Sequence, residues 1–480
     1  MRSLVAVLGA TGTGKSKLAV DIATRFNGEI INGDAMQMYR GLPIITNQIP
    51  LEERDGIPHH IISCIDLEEA PWRISMFRKE CLRLIDDIHA RGKLPVLVGG
   101  THYYTQAVLF QDQLVIKDDG SSVEEDDTNM VDAAEPSVKW PILDAEPEVV
   151  LQKLREVDPI MARRWHPKDT RKIRRSLEIY FQTGKPASQV YVEQRQLKQA
   201  AAEKAGPDSG TEQLRFNTIM FWVHAERLVL GERLFKRVDD MVDQGLLSEA
   251  SRMADYLHEK EAQGITVDQT RGLWISIGFK ELAPYFEALR DGSKTQKELD
   301  ALKASCVELV KVATRQYAMT QLSWIRNKLW NKLAQAGMTN RLYLLDTTDV
   351  EMWPQNVKEP SERLVETLLN GGTLPDPKSL SELARTTLGV YEAKQQPVDP
   401  GITRTITCDV CHKILANEEQ WQLHIKGRGH RRVMQRRAQR QARDEYLQKR
   451  RESQENAQDE AGDETKELDF QTAPNGVMEK

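Results

Sequence analysis

The sequence predicts an α/β fold, in which a parallel β-sheet carries helices on both faces. Residues 4–8 form an apolar run that leads through a glycine loop into residues 17–25, where apolar positions follow helical spacing. The apolar run 94–98 likewise ends in a glycine turn before a segment compatible with a helix. Residues 217–224 have the composition of a strand and precede helical spacing over 226–257. Such alternation is typical of parallel sheets.

Length and composition limit the class of protein. The chain has 480 residues, of which 40% are hydrophobic and 29% charged, so it is long enough for about two to four domains. Its mean hydropathy is -0.53, and no stretch has the roughly 18 apolar residues of a membrane span. Five scattered cysteines indicate a reducing compartment. We therefore expect a soluble protein with no membrane partner and no targeting peptide, in the cytoplasm, with a nuclear or mitochondrial location left open.

Charge is concentrated in blocks, although the formal net charge is -6. Residues 118–136 and 452–469 each carry eight acidic residues, and both have the composition of disordered segments. Residues 426–451 carry eleven Lys or Arg against two acids, and residues 163–175 carry seven. The folded body is therefore expected to have two basic surfaces, although a single basic run is more often a solvated helix face.

Further patterns set the domain boundaries. Apolar spacing over 148–183 predicts an inserted helical subdomain that ends at Gly184. Residues 341–345 predict a last core strand, and 375–400 have the composition of a linker. The predicted segments are the first part of the α/β core at 1–116, an acidic insert at 117–139, the helical insertion at 140–210, the second part of the core at 211–374, the linker at 375–400, a small zinc module with a basic helix at 401–450, and an acidic tail at 451–480.

A phosphate-binding loop follows the first strand. Residues 9–16 fit G-x-x-x-x-G-K-[ST] between a strand and a helix, which is the context that this pattern requires. Backbone N–H groups of such a loop bind a di- or triphosphate, the lysine neutralises charge, and the serine can hold Mg²⁺. The sheet is therefore predicted to be of the P-loop NTPase type. The residues expected to bind the diphosphate are Gly9, Thr11, Gly12, Thr13, Gly14, Lys15 and Ser16, with Ser16 on Mg²⁺.

One element of P-loop kinases and hydrolases is missing from the sequence. Those enzymes also hold Mg²⁺ through an Asp at the end of a second apolar strand. The strand predicted at 94–98 is followed by Gly99 and Gly100 instead. A loop that grips a diphosphate as the leaving group fits these residues better, and a kinase is left as the alternative.

Motifs around the loop resemble those of one enzyme family. Residues 32–42 (NGDAMQMYRGL) closely resemble a signature of tRNA dimethylallyltransferases. The resemblance continues in the family order from Gly9 to about Trp324, over roughly two thirds of the chain. Its further motifs are 44–47, 99–104 (GGTHYY), 169–184 (DTRKIRRSLEIYFQTG), 276–281 and 313–318.

The resemblance implies a reaction and roles for three residues. Enzymes of this family transfer a dimethylallyl group from dimethylallyl diphosphate to N6 of the adenosine 3′ of the anticodon. Asp34 would be the general base for the amine, Thr101 a hydrogen-bond donor near the bridging oxygen, and Arg233 the diphosphate clamp. Asp34 could otherwise be a helix N-cap. Arg233 could otherwise form surface ion pairs together with Arg237, four residues later.

The same resemblance implies that the anticodon stem-loop of tRNA is the partner, and we expect a monomer. Gln37 has an amide suited to an adenine edge, and the basic helical insertion would bind the RNA backbone. The sequence departs from the family pattern at Ala35, where Ser is usual, at Gln48, where Lys is common, and at residues 319–320, which are often basic. The residues predicted to bind tRNA are Gln37, Arg163, Arg171, Arg174, Arg315 and Gln316.

A zinc-binding pattern lies near the C-terminus. Cys408, Cys411, His424 and His430 have the spacing of a two-Cys, two-His site that holds structural Zn²⁺. The long His-to-His spacing resembles matrin or U1-like fingers of RNA-binding proteins. The basic residues that follow favour RNA as the partner of the finger, and a protein partner stays open. A zinc-finger RNA-binding protein with an inactive core is the alternative from a different functional class.

Overall fold

The computed structural model describes residues 2–69, 71–111, 140–165, 167, 169–193, 196, 214–393, 406–411, 414–415, 418–439 and 441. The acidic insert and the acidic tail predicted from the sequence lie outside these residues. These described residues divide into two compact units, the first within 1–137 and 190–397 and the second within 138–189 and 398–480. Within the described ranges, no helix has both the length and the apolar character that crossing a membrane would require.

The first unit contains a six-stranded sheet in which every strand pair is parallel. Its strand order is β3-β2-β4-β1-β5-β6. The predicted fold class is therefore confirmed. The strands are β1 (Ser3–Gly9), β2 (Gly28–Asn32), β3 (His59–His60), β4 (Leu94–Val98), β5 (Asn217–His224) and β6 (Leu342–Asp346).

Labelled helices lie between β1 and β2, between β3 and β4, between β4 and β5, and between β5 and β6. The segment 226–257, predicted as one or two helices, forms two. In chain order the helices are α1 (Lys15–Arg25), α2 (Ile74–Ala90), α3 (His102–Leu109), α4 (Pro147–Val157), α5 (Pro159–Arg164), α6 (Thr170–Thr183), α7 (Arg227–Gln244), α8 (Leu246–Ala262), α9 (Phe279–Asp291), α10 (Gln296–Trp324), α11 (Trp330–Gln335), α12 (Glu359–Leu369), α13 (Glu382–Ala393) and α14 (Glu418–Lys426).

Both faces of the sheet are buried, which explains the continuous apolar runs of its strands. In β1, alternate residues belong to different apolar clusters: Leu4 and Leu8 to one, Val5 and Val7 to the other. Helices α1 and α12 contribute to the second cluster, whereas α2, α7 and α10 contribute to the first. The central strands are thereby held rigidly, so the loops at their carboxyl ends have a fixed spacing.

Helix α10 is the longest helix of the described residues, with 29 residues. A capping box begins it, because the Thr295 hydroxyl accepts from the Glu298 N–H and Glu298 Oε2 accepts from the Thr295 N–H at 2.8 Å. Buried Ala318 and Leu322 anchor its C-terminal half in the core. A π-helical turn, Ile325–Leu329, then leads into α11. The C-terminal half of α10 therefore has a fixed position on the core.

The linker predicted at 375–400 is wrong for residues 382–393, which form α13. Ala384 and Leu388 lie one turn apart on this helix and are buried in the core. The Tyr391 ring lies 6.1 Å from that of Trp222 and 5.8 Å from that of Trp330. The proline-rich composition of the segment hid this short apolar stripe. The core therefore extends to residue 393, and residues 394–405 lie outside the described part.

In the second unit, α4, α5 and α6 share a small core of their own. Leu151, Leu154 and Leu177 are buried, as the helical spacing predicts. The Asp158 carboxylate accepts from the N–H groups of Met161 at 3.0 Å and Ser188 at 2.8 Å. It therefore caps α5 and also holds the backbone at Ser188 next to this helix.

The zinc module begins with a short antiparallel hairpin of β7 (Ile406–Thr407) and β8 (Ile414–Leu415), followed by α14. Residues 428–439 are helical as well. The two cysteines therefore come from the hairpin and the two histidines from helical segments, which is the usual arrangement of a C2H2 finger.

Candidate active site

Three turns meet at the carboxyl ends of β1, β2 and β4. The phosphate loop follows β1, Asp34 follows β2, and the turn Gly99-Gly100-Thr101 follows β4. The Gly33 N–H donates to the Val98 carbonyl at 2.7 Å, which fastens two of the turns together. A Cβ on Gly99 would lie 2.3 Å from the Gly33 carbonyl carbon, so only glycine permits this approach. Parallel sheets bind ligands in such a crevice.

The phosphate loop has the conformation that its glycines allow. Gly12 and Gly14 have φ values of 85° and 89°, in the left-handed region. The Thr13 hydroxyl donates to the Ala10 carbonyl at 2.9 Å and is buried, so it stabilises the loop from inside. Helix α1 begins at Lys15 and directs its positive N-terminal end at the loop. The arrangement suits a bound diphosphate.

The ammonium group of Lys15 lies at the centre of the loop and donates to the Ala10 carbonyl at 2.8 Å. Burial lowers the pKa of Lys15 to about 8; the nearby Asp34 opposes this shift and Arg237 adds to it. A phosphate bound at this lysine would favour its charged form, because opposite charges stabilise each other in a buried site.

The Asp34 carboxylate is fixed by the backbone on both sides. Its Oδ1 accepts from the Met36 N–H at 3.1 Å, and the Gly100 N–H also donates to the carboxylate. Burial raises the pKa of Asp34, against the effect of these hydrogen bonds and of Lys15. The N-cap of the short helix that follows is Ala35, and not Asp34. A carboxylate that burial makes more basic suits a general base.

Thr101 is 4% exposed and lies beside Asp34. Its Oγ1 accepts from the Ala35 N–H at 3.2 Å, so the turn after β4 contacts the turn after β2. The Thr101 hydroxyl also forms a hydrogen bond with the Tyr317 hydroxyl. The structure thus brings Thr101, Asp34 and Lys15 together.

Two arginines of α7 have different partners. Arg233 donates both Nη groups to the carbonyls of Thr347 and Thr348, each at 2.6 Å, after β6. Arg237, one turn later, donates to the Thr11 hydroxyl of the phosphate loop at 3.1 Å. Burial lowers the pKa of Arg237, which is the guanidinium that contacts the loop directly. These contacts favour Arg237 over Arg233 as the group nearest to a bound diphosphate.

Sequence reasoning missed two residues of α10 that belong to the site. Gln321 Oε1 accepts from the Thr11 N–H at 2.8 Å, and its Nε2 donates to the Gly100 carbonyl at 3.0 Å. The Tyr317 hydroxyl, one turn earlier, is hydrogen-bonded by the side chains of Thr101 and Gln321. Burial raises the pKa of Tyr317, so it stays protonated. The signal available in the sequence was the polar amide of Gln321 among the apolar positions of a helix.

Next to the site, His102 is 3% exposed and its ring is 5.3 Å from that of Trp324. Burial lowers the pKa of His102 to about 3, and the charge of Lys15 contributes to this shift. The imidazole is therefore neutral and adds no positive charge to the phosphate site.

The residues of the first unit that were predicted to bind tRNA have the following places. Gln37 lies three residues after Asp34, and its Nε2 donates to the Asn47 carbonyl at 2.9 Å. Arg315 and Gln316 are exposed on α10. The guanidinium of Arg315 lies over the Phe235 ring at 5.3 Å.

The predicted tRNA-binding residues of the second unit are on α5 and α6. Arg163 is exposed in the last turn of α5. Arg174 is half-buried, and its Nε donates to Glu178 Oε1 at 3.2 Å. Arg175 shares the same carboxylate at 3.1 Å. The side chain of Arg171 lies outside the described part of the structure.

The zinc ligands come together as predicted. The ligand atoms of Cys408, Cys411, His424 and His430 all lie within 4.8 Å of one another. His430 Nδ1 is 3.4 Å from Cys411 Sγ and 3.2 Å from His424 Nε2. Ligand atoms at such distances fit a tetrahedral Zn²⁺ with bonds of about 2.0–2.3 Å. The module therefore has a complete donor set for structural zinc.

For Mg²⁺, the donor set at the phosphate loop is small. Ser16 lies in the first turn of α1 and offers a hydroxyl, whereas β4 is followed by glycines and no carboxylate. Mg²⁺ commonly keeps several waters and binds substrate phosphates together with few protein groups. These residues fit an ion held by Ser16 and the diphosphate itself.

Comparisons with known proteins find similarity over most of the chain. The model of the IPP transferase family matches residues 37–328, and that of C2H2-type zinc fingers matches residues 406–430. The tRNA dimethylallyltransferase of Schizosaccharomyces pombe is 35% identical over 456 residues, which are 92% of this chain and 97% of the relative. The human tRNA dimethylallyltransferase is 34% identical, over 89% of this chain and 85% of its own length.

A solved structure of a eukaryotic dimethylallyltransferase acting on tRNA is similar over most of the chain. It matches with a TM-score of 0.68 and 30% identity, over 93% of this chain and 100% of that one.

Proposed function

This chain belongs to the tRNA dimethylallyltransferase family, and we propose that it transfers the dimethylallyl group of dimethylallyl diphosphate to N6 of the adenosine 3′-adjacent to the anticodon. Transfer of a dimethylallyl group to tRNA is the activity of the family. The observation that carries the finer proposal is the position of Asp34. Its carboxylate, whose pKa is raised by burial, lies between Lys15 of the phosphate loop and the turn that carries Thr101.

The step can be written with the described side chains. The lone pair of the adenine N6 attacks C1 of the dimethylallyl group, and a C–N bond forms. The C1–O bond breaks, and its electron pair leaves with the diphosphate. Asp34 accepts one proton from the amine, so the product is a neutral secondary amine. An exocyclic amine is a weak nucleophile, which explains why a carboxylate of raised pKa is useful there.

Stabilisation of the leaving diphosphate falls to the loop and its cations. Lys15 and the α1 N-terminus meet the phosphate charge in the ground state and in the transition state. Arg237, which contacts the loop at Thr11, would add a second cation. Thr101 would donate its hydroxyl hydrogen to the bridging oxygen as the C1–O bond breaks. Mg²⁺ held by Ser16 would neutralise further diphosphate charge.

Access to N6 requires that the adenosine leaves the base stack of the anticodon loop, at a cost of a few kcal/mol. Gln37 is on the short helix after Asp34, and its amide could bind the adenine edge once it leaves the Asn47 carbonyl. The exposed arginines of the helical insertion would bind the RNA backbone. The C2H2 module would add further phosphate contacts.

An assay with labelled donor tests this proposal. We incubate the full chain with Mg²⁺, dimethylallyl diphosphate labelled in the prenyl group and an unmodified tRNA, then digest the tRNA and identify the labelled nucleoside by mass spectrometry. We expect one diphosphate released for each N6-prenylated adenosine, located next to the anticodon. Consumption of ATP without labelled tRNA would instead identify a kinase, and tight tRNA binding without either reaction a binding protein.

A further inference from the structure

Helix α10 inserts one amide between the phosphate loop and the turn after β4. Gln321 is 4% exposed, accepts from the Thr11 N–H at 2.8 Å and donates to the Gly100 carbonyl at 3.0 Å. One end of the amide faces a donor and the other end faces an acceptor, so only one orientation of the amide satisfies both. The side chain therefore joins two loops that are both far from it in the sequence. Gln321 is 310 residues from Thr11 and 221 residues from Gly100.

The Gly100 residue extends this connection to Asp34. Its carbonyl accepts from Gln321, and its N–H donates to the Asp34 carboxylate. A Cβ at Gly100 would lie 2.4 Å from Gln321 Nε2 and 2.9 Å from Asp34 Oδ2. The amide and the carboxylate therefore meet at the same side of Gly100. A continuous hydrogen-bonded path runs from the phosphate loop through Gln321 and Gly100 to the proposed base.

A second contact leads from the same helix to Thr101. Tyr317 is one turn before Gln321, and its hydroxyl is hydrogen-bonded by Gln321 and Thr101. Thr101 also accepts from the Ala35 N–H at 3.2 Å. Tyr317 therefore connects α10 to Thr101, and through Thr101 to the turn after β2.

We infer that Gln321 is a positioning residue for the transfer step, acting through the phosphate loop, Gly100 and Asp34. It sets the separation between the diphosphate and the groups that act on N6 and on the bridging oxygen. This inference rests on the proposed function, because it needs Asp34 and the loop to act in one reaction. Displacing reacting groups by about 1 Å can cost roughly 10²-fold in rate, so a single amide at this place has a large effect.

Gln321→Met tests the inference, because methionine has a similar length and forms neither hydrogen bond. We expect the single-turnover rate at saturating tRNA and donor to fall by roughly 10- to 100-fold. The affinity for inorganic diphosphate with Mg²⁺, measured by calorimetry, should change by less than about threefold, because Lys15 and the remaining loop N–H groups are intact. Gln296→Met is the matched control, since Gln296 is exposed in the first turn of the same helix and bonded only to Asp300 among the described contacts. It should behave as the unsubstituted chain.

Gln321→Glu provides a second variant of nearly identical shape. One carboxylate oxygen can still accept from Thr11, but the other faces the Gly100 carbonyl and adds a negative charge beside Asp34. Neighbouring like charges raise the pKa of a carboxyl group. We therefore expect the acidic limb of the rate against pH to move to higher pH relative to the unsubstituted chain. A residue that only fills the core would lower the melting temperature without moving this limb.

Two results would overturn the inference. One is a normal single-turnover rate per folded molecule in Gln321→Met, together with an unshifted acidic limb in Gln321→Glu. The other is tighter diphosphate binding in Gln321→Met with the rate retained, which would mean that Gln321 only occupies an N–H group needed by the ligand. If the unsubstituted chain and Gln296→Met both fail to prenylate tRNA, the proposed function fails, and the inference fails with it.

Discussion

Replacing Asp34 with asparagine removes the proposed base and keeps its shape. The asparagine oxygen can accept from the Met36 N–H, as Asp34 Oδ1 does at 3.1 Å. Its amide nitrogen would then face the Gly100 N–H, which loses its acceptor. One unpaired buried donor costs about 1–3 kcal/mol, so a lower melting temperature is expected without unfolding. General bases contribute roughly 10²- to 10⁴-fold to rate, and we expect a single-turnover rate at least about 10²-fold lower.

The pH dependence gives this variant a second measurable consequence. Burial raises the pKa of Asp34, and the carboxyl group must be ionised to accept the amine proton. The rate of the unsubstituted chain should therefore rise as pH increases through this raised pKa and decline below it. Asp34→Asn has no such group, so this limb should disappear. The negative charge of Asp34 also supports the ammonium of Lys15, whose pKa should fall below about 8 in the variant.

Rapid-quench measurements with excess enzyme, labelled donor and limiting tRNA would follow the chemical step directly. Asp243→Asn is a suitable control because it removes an exposed carboxylate charge on α7. Rates within about threefold of the unsubstituted chain for Asp34→Asn, with tRNA saturating, would show that the carboxylate only holds its turn in place. Loss of a general base lowers the rate far more.

Further substitutions separate binding from chemistry. Because the pKa of Lys15 is about 8, its cation is present below that pH and lost above it, so the affinity for dimethylallyl diphosphate should weaken as pH rises from 7 to 9. Lys15→Ala should remove this dependence and weaken donor binding, whereas Thr101→Ala should mainly lower the rate; calorimetry showing equal losses of affinity would contradict the difference. Arg237→Ala should weaken donor binding by roughly 10- to 100-fold, as for a lost hydrogen bond to a charged group. Arg233→Ala should mainly lower the melting temperature, since Arg233 binds two backbone carbonyls; the opposite order in binding assays would restore Arg233 as the clamp. A chain that ends at residue 400, or Cys411→Ser, should bind tRNA more weakly with a salt slope lower by about one unit for each lost phosphate contact, at an unchanged saturated rate. An unchanged slope would assign the finger to a protein partner.

Local patterns were sufficient for the elements that lead to the site. The strands at 94–98 and 217–224 have the bounds that the apolar runs predict. The phosphate loop and the four zinc ligands were likewise visible from spacing, because each is a short segment whose chemistry depends on neighbouring residues. Helix α13 was missed, since its stripe of Ala384 and Leu388 is short and surrounded by residues typical of a linker.

The contacts that sequence reasoning missed are long-range or depend on rotation about a helix. Arg233 and Arg237 are four residues apart and share a helix face, so spacing could not show that the second contacts the phosphate loop. Gln321 contacts Thr11 across 310 residues, and no local pattern encodes such a partner. The packing of α10 against the sheet decides both the position and the role of Gln321.

A crystal structure of the chain with Mg²⁺, an unreactive thiolo analogue of dimethylallyl diphosphate and a tRNA anticodon stem-loop would test the central claim most directly. We expect the diphosphate on the phosphate loop beside Lys15, and C1 of the analogue about 3–3.5 Å from the adenine N6, the separation of a reactive complex. N6 should donate a hydrogen bond to the Asp34 carboxylate. A diphosphate bound away from the loop, or an adenine whose N6 points away from Asp34, would contradict the proposed site.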